Sequence, residues 1–219
     1  MKAVCNTWSM ILELLFPRAK HIRRFDTLQT DMLARTAVRT IAPTDPSCLA
    51  PFPYGHTLIR DAVHAAKYHG HKRAAALLGE ALAPFLSEEL AERRSFGSYD
   101  SVLYIPIPLA PARQHARGYN QAERIVAAIL SYTHDPAADY VPSALVRVRD
   151  TKSQVRVHDR TARRNNVHNA FCIPNRKAIE GRDIVLVDDV VTTGATMGAA
   201  RAVLIAAGAR NVLCVAVAH

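Results

Sequence analysis

Ile184-Val-Leu-Val-Asp-Asp-Val-Val-Thr-Thr-Gly-Ala-Thr196 is the stretch on which the reading of this 219-residue chain turns. Its first residues, with Asp183 before them, form an apolar run of the kind buried on both faces of a parallel sheet. The run delivers two adjacent carboxylates, Asp188 and Asp189, to the C-terminal end of a strand. Open α/β sheets bind their ligands at that end. A short loop of Thr and Gly then opens a helix, whose free N–H groups attract a phosphate. Thr192, Thr193 and Thr196 add hydroxyls, and Gly194 lets the backbone approach without a Cβ in the way. Carboxylates beside a phosphate nest would repel a bare polyphosphate. They suit a sugar phosphate, accepting from its hydroxyls while the loop takes the ester. No Gly-Lys-Ser/Thr follows, so this is not a P-loop. A strand–turn–helix in which Asp and Thr merely cap the helix is the plain alternative. The whole string at a strand-to-helix junction favours the binding loop.

Downstream, Met197–Ala207 predicts an Ala-rich helix stopped by Gly208, and Asn211–Ala218 a final buried strand. Upstream, Ser101–Ile107 predicts a strand ending in Ile-Pro-Ile-Pro. Asn120–Tyr132 predicts a helix with Ile125, Ala128, Ile129 and Tyr132 on one face. Ala144–Val148 and Ala170–Ile173 are short strand candidates. Alternating strand and helix at this spacing predicts an α/β fold, mostly parallel, with right-handed crossovers. Leu58–Leu86 carries two helical stripes separated at Gly70. Residues 1–57 look different: an amphipathic helix at Trp8–Phe16 stopped by Pro17, a helical segment Leu28–Val38, then an extended linker or lid marked by Pro43, Pro46, Pro51 and Pro53. The division expected is a small N-terminal hood segment over 1–57 and one α/β domain over 58–219. The chain stops just after a buried strand, so no C-terminal hood is expected, and an acceptor pocket must come from the N-terminal segment and neighbouring loops.

Composition narrows the classes. Hydrophobic residues make up 49% and charged ones 21%, which excludes wholesale disorder. No apolar stretch reaches the ~20 residues needed to cross a bilayer, and no signal peptide is legible, so a cytoplasmic protein is expected. Lys and Arg outnumber Asp and Glu by 28 to 19, a net charge of +9 that points to an anionic partner. Arg147 to Asn166 alone carries seven basic and two acidic residues. The four cysteines (Cys5, Cys48, Cys172, Cys214) show no metal-ligand spacing; Cys172 and Cys214 read as small core residues. His56, His64, His69 and His71 read as surface or turn histidines.

The quoted string resembles the PRPP-binding loop of type I phosphoribosyltransferases, here Val190, Val191, Thr192, Thr193, Gly194, Ala195 and Thr196 after the acidic pair. Further blocks narrow the resemblance to the ComF/GntX family: Leu14-Leu-Phe-Pro17, Leu58-Ile-Arg-Asp with Ala66-Lys-Tyr-His-Gly70, Ile105-Pro-Ile-Pro-Leu with Arg113 and Arg117-Gly-Tyr-Asn-Gln-Ala122, and Thr151-Lys-Ser-Gln154 through Arg160, Asn165 and Phe171. The resemblance covers roughly residues 55 to 219. It implies the type I phosphoribosyltransferase fold, with PRPP bound together with Mg2+ that is held through PRPP. The acidic pair would accept from the ribose hydroxyls. Pyrophosphate would lie against Pro106, Ile107 and Pro108, near Arg113, Arg117 and Lys67. Lys152 and Arg156 would contact the leaving group from a catalytic loop spanning Arg147–Asn166, alongside Asp188 and Asp189 as catalytic residues. An acceptor that the sequence does not name would receive the phosphoribose and pyrophosphate would leave. The same resemblance keeps a second function open: sensing PRPP or nucleotides and binding single-stranded DNA or competence proteins during DNA uptake. A homodimer is compatible with either. Many family members carry paired cysteines after Leu-Phe-Pro. Here Pro17-Arg-Ala-Lys-His-Ile-Arg-Arg24 has none, so no zinc is expected and Cys48 reads as a relic of that region.

Overall fold

The apolar runs become strands of one sheet, and their alternating side chains build a core on each of its faces. The computed structural model describes residues 20–37, 41–42, 45–149 and 170–219. Helices α1 (Lys20–Arg23) and α2 (Thr30–Ala34) lead into strands β1 (Ile41–Ala42) and β2 (Asp45–Leu49). Two long helices follow, α3 (Thr57–Tyr68) and α4 (Lys72–Ser95). Then come β3 (Val102–Pro106), α5 (Pro111–Arg117), α6 (Gln121–Thr133), β4 (Ala138–Tyr140) and the short strands β5 (Val146–Arg147) and β6 (Phe171–Cys172). The chain closes with β7 (Asp183–Val190), α7 (Ala195–Ala206) and β8 (Asn211–Ala218).

The main sheet runs β1-β2-β8-β7-β3-β4. Every pairing from β2 to β4 is parallel, and β1 folds back antiparallel on β2. Along β7, Val185 and Val187 face a core shared with α3, α4 and α6, which includes Ile59, Leu78, Leu82 and Ile125. Ile184 and Leu186 face the other core, with Met197, Ala200 and Leu204 of α7. This is the expected α/β architecture, with helices on both faces of a mostly parallel sheet. Helices α4 and α6 touch closely at Gly79, where an added Cβ would sit 2.5 Å from the Ile125 carbonyl oxygen and 2.7 Å from Ala128 Cβ.

Several local expectations are corrected. The Pro-rich stretch is partly sheet: Cys48 and Leu49 pair with Cys214 and Val215 at the heart of the molecule, and Cys48 is buried. Pro46 is tolerated because it lies outside that paired register. Cys172 is exposed rather than core, since it alternates outward from buried Phe171 on a two-residue strand. Tyr132 is exposed, and α6 buries Ala122, Ile125, Val126 and Ile129 instead. His71 is not a surface histidine. It is buried at the N-cap of α4, where Nδ1 accepts from the Ala74 N–H at 3.1 Å and Nε2 lies 3.2 Å from Asp26 Oδ1. With Arg24 bonded to Asp61 at 2.6 Å and Phe25 and Leu33 buried, that contact fastens residues 20–34 to α3 and α4. The helix expected at Trp8–Phe16 lies outside the described residues. Among the described residues, no helix is long and apolar enough to cross a membrane.

Candidate phosphate and sugar site

The C-terminal ends of β3 and β7 lie side by side, with Pro106 in register with Val187. Two loops of different character therefore meet at one edge of the sheet. After β3, the Ile107 N–H donates to the Val187 carbonyl at 2.8 Å, holding Pro106–Pro108 against the end of β7. Asn120 pins the same loop from the start of α6. Its Nδ2 donates to the Ile107 carbonyl at 3.0 Å while its Oδ1 caps the helix by accepting from the Ala122 N–H. That role was hidden in the sequence, although an Asn before an amphipathic run is a cap signal.

After β7, Gly194 turns the chain with φ 71°, the left-handed conformation that favours glycine. Helix α7 starts there without a side-chain cap, so its first N–H groups face the loop. Asp188, Val190, Val191, Thr192, Thr193, Gly194, Ala195, Thr196 and Met197 line one small open concavity. The structure thus gathers the predicted binding string around a hollow fit for an anion at a helix N-terminus.

The acidic pair is divided by strand alternation. Asp188 shares its side of β7 with Leu186 and turns to the concavity, while Asp189 turns to the α3 side and is 3% exposed. There Lys67, from the last turn of α3, reaches it: Nζ stands 3.2 Å from Asp189 Oδ2. Burial alone would lower the Lys67 pKa, but Asp189, and then Asp188, hold it above the ordinary lysine value. Desolvation pushes the Asp188 carboxyl well above the usual range, and neighbouring Asp189 pushes it further. The carboxylates are steadied by local backbone: Asp188 Oδ1 accepts from the Asp189 N–H at 2.8 Å, and Asp189 Oδ1 from the Val190 N–H at 2.9 Å.

Lys67 is itself placed by its neighbours. Tyr119 donates its hydroxyl to the Lys67 carbonyl at 2.9 Å, and Arg124 donates to the Gly70 carbonyl at 2.8 Å, tying the end of α3 to the start of α6. Of the other predicted cations, Arg113 is exposed on α5, a helix bracketed by Pro111 as N1 and Gly118 as stop. Arg117 lies with Cζ 5.2 Å from the Tyr68 ring centroid. Lys152 and Arg156 lie outside the described residues, as does most of Arg147–Asn166. At the root of that segment, β5 and β6 pair antiparallel, Arg147 against Phe171. Among the described residues, no three His, Cys, Asp or Glu side chains gather to hold a metal ion.

The chain is similar to several known proteins over part of its length. The family described as the phosphoribosyl transferase domain matches residues 112–219. The chain is 32% identical over 150 residues to the DNA utilization protein YhgH of Escherichia coli O157:H7, covering 68% of this chain and 62% of that protein. It is 36% identical over 94 residues to Competence protein F of Haemophilus influenzae, covering 42% of this chain and 39% of that one. To Competence protein ComFC of Streptococcus pneumoniae it is 33% identical over 137 residues, 62% of this chain and 54% of that one. It therefore spans less than two thirds of the length of these relatives. A solved structure from a study of an invariant aspartic acid in HPRTs, the glutamic acid mutant, superposes with a TM-score of 0.39 at 10% identity over 66% of this chain and 67% of that one.

Proposed function

Because this chain belongs to the ComF family of phosphoribosyltransferase-like proteins, we propose that the concavity beside Asp188 binds PRPP and that phosphoribose is transferred from it to an acceptor. The observation that supports this most is the shared lining: one carboxylate and one helix N-terminus face the same hollow. The ester phosphate takes the Thr192–Thr196 loop, where backbone N–H groups and hydroxyls donate to it. The ribose hydroxyls donate to Asp188, with Lys67 balancing the charge of Asp189 on the other side of the strand. Pyrophosphate lies toward Pro106–Pro108, within the field of Lys67 and Arg113, with Lys152 and Arg156 adding charge from their segment. In the transfer, the bond from the ribose anomeric carbon to the pyrophosphate oxygen breaks with its electron pair leaving on oxygen. A bond from the acceptor forms at that carbon, and the acceptor's proton passes to solvent.

Magnesium fits this site as a companion of the substrate. Mg2+ keeps several waters and is commonly held by one or two carboxylates plus substrate phosphates. Asp188 offers oxygen donors of that kind, and the remaining ligands would be phosphate oxygens. The bound ion would neutralise the leaving pyrophosphate; this chain's residues orient the sugar and exclude water.

Calorimetric titration with Mg-PRPP, followed by a pyrophosphate-release assay across nucleobase and amine acceptors, tests the reading. Saturable binding and acceptor-dependent release are expected; no heat of binding would end it. A second reading, a nucleic-acid-handling protein that uses PRPP only as a signal, draws support from the net charge of +9 and from the DNA utilization and competence names of the relatives. Binding without release in the same assay would favour it.

A further inference from the structure

The outer face of α3 carries chemistry that the PRPP site does not use. Arg60, His64 and Tyr68 follow one another at i, i+4 and i+8, so they line one stripe of the helix, and all three are exposed. Tyr68 is 58% exposed, a large aromatic ring left in water. The His64 ring lies 4.6 Å from it, tilted by 47°, and Arg117 sits over it from the end of α5. The His69 ring is 5.5 Å from His64. Neither element adds a carboxylate to the stripe. Helix α5 contains no acidic residue, and the single one on α3, Asp61, is bonded to Arg24. A cation–π contact that only fastened α5 to α3 would explain Arg117. It would not explain an open ring aligned with Arg60 and His64.

Guanidinium groups and an aromatic ring on one carboxylate-free stripe match a polyanion with accessible π-faces. An acidic peptide or a duplex would satisfy the cations and leave the ring unused. A single strand satisfies both, since every unpaired base has a face to stack and a phosphate beside it. We propose that single-stranded nucleic acid lies along the Arg60–His64–Tyr68–Arg117 stripe, with a base stacked on Tyr68 and flanking phosphates on Arg60 and Arg117. This rests on the nucleic-acid reading above and gives it a surface distinct from the local charge of Arg147–Asn166.

Fluorescence anisotropy with a labelled oligothymidylate on the full chain tests the stripe. Tyr68→Ala should weaken single-strand binding by roughly five- to a hundredfold, the range expected for one stacked base, and Tyr68→Phe should retain it. Arg60→Ala and Arg117→Ala should each flatten the slope of log affinity against log salt by about 0.7. Calorimetry of Tyr68→Ala with Mg-PRPP should match the wild type, which shows that the variant is folded and separates this proposal from the PRPP reading. Tyr68→Ala binding the oligonucleotide as well as the wild type would overturn the proposal. So would a wild type that binds no single strand at low salt, or one that binds a duplex equally well with the same loss in Tyr68→Ala.

Discussion

Strand β7 carries a carboxylate at its start and two near its end, and the protein treats them in opposite ways. Asp183, at the start, is fully buried and richly supplied. It accepts from the Tyr99 N–H at 2.9 Å, from Asn211 Nδ2 at 2.8 Å, and from Arg210 through both Nε and Nη2. Burial pushes its pKa up, but the bonds from Arg210, Asn211 and Tyr99 outweigh that and hold it below the ordinary value. Asp188, at the other end, accepts its neighbour's N–H, and desolvation and Asp189 drive its pKa up. A carboxylate whose lone pairs are occupied by the protein is part of the scaffold. One left under-supplied at the ligand-binding edge of a sheet has capacity to spare for a hydroxyl.

The contrast can be broken most forcefully at the site end. Asp188→Asn/Asp189→Asn should lower PRPP affinity by roughly ten- to a hundredfold, because the charge-assisted hydrogen bond at Asp188 contributes ~1.5–3 kcal/mol. Its melting temperature should stay close to that of the wild type. Calorimetry and a thermal melt together check this; unchanged affinity in the folded variant would make the pair a structural cap. The opposite outcome is expected at the other end. Asp183→Ala strips the acceptor from a buried N–H and a half-buried amide and should cost about 3 kcal/mol, readable as a shift in the denaturation midpoint, with PRPP affinity preserved in the folded fraction.

Lys67→Met sharpens the comparison from the side. Lys67 lowers the tendency of Asp188 to hold a proton, so its loss should move the pH midpoint for PRPP binding upward. A midpoint that does not move would separate Lys67 from the titration of the pair. The smallest effect expected is in the pH dependence of stability. The Asp183 contribution is present above the ordinary carboxyl pKa and lost as pH falls through its depressed native value, so the melting gap between wild type and Asp183→Ala should close below about pH 4. Asp188 has the reverse sign: its contribution is intact below the ordinary carboxyl pKa and is lost as pH rises through its elevated native value. The Asn pair should therefore gain on the wild type as pH rises above that range. Parallel curves for both variants would erase the distinction between the ends.

Where a segment is buried on both faces, its sequence announces it. β8 was legible to the residue and β7 to within three residues of its end, since an unbroken Val/Ile/Leu run between Gly and charged residues has few other uses, and α7 was marked by its Ala-rich run and the Gly208 stop. The strand–loop–helix string around Asp188 was legible too, because strand, carboxylates, Gly and helix are contiguous. What depended on distant partners was not. β2 hides behind Pro46, and only its register with β8 makes it a strand. His71 caps α4 through an imidazole nitrogen, which the usual Ser/Thr/Asp/Asn cap signal does not cover. The separation of Asp188 from Asp189 across the sheet was implicit in strand periodicity, but Lys67 as partner of Asp189 needed α3 placed against β7. The Tyr68–Arg117 contact links residues from different helices and has no local sequence signature.

The contact at Gly79 makes that position intolerant in a particular way. A side chain there would have to move the backbone of α6, because the obstacle is the Ile125 carbonyl rather than a flexible side-chain tip. Helix α6 begins at Asn120, which grips Ile107 in the loop beside the acidic pair. The absence of a single methyl group on one helix therefore calibrates the reach of a loop on the opposite side of another. A laboratory search for improved variants would find position 79 closed to every residue with a side chain. Substitutions there would be felt as misalignment of that loop as much as through loss of packing.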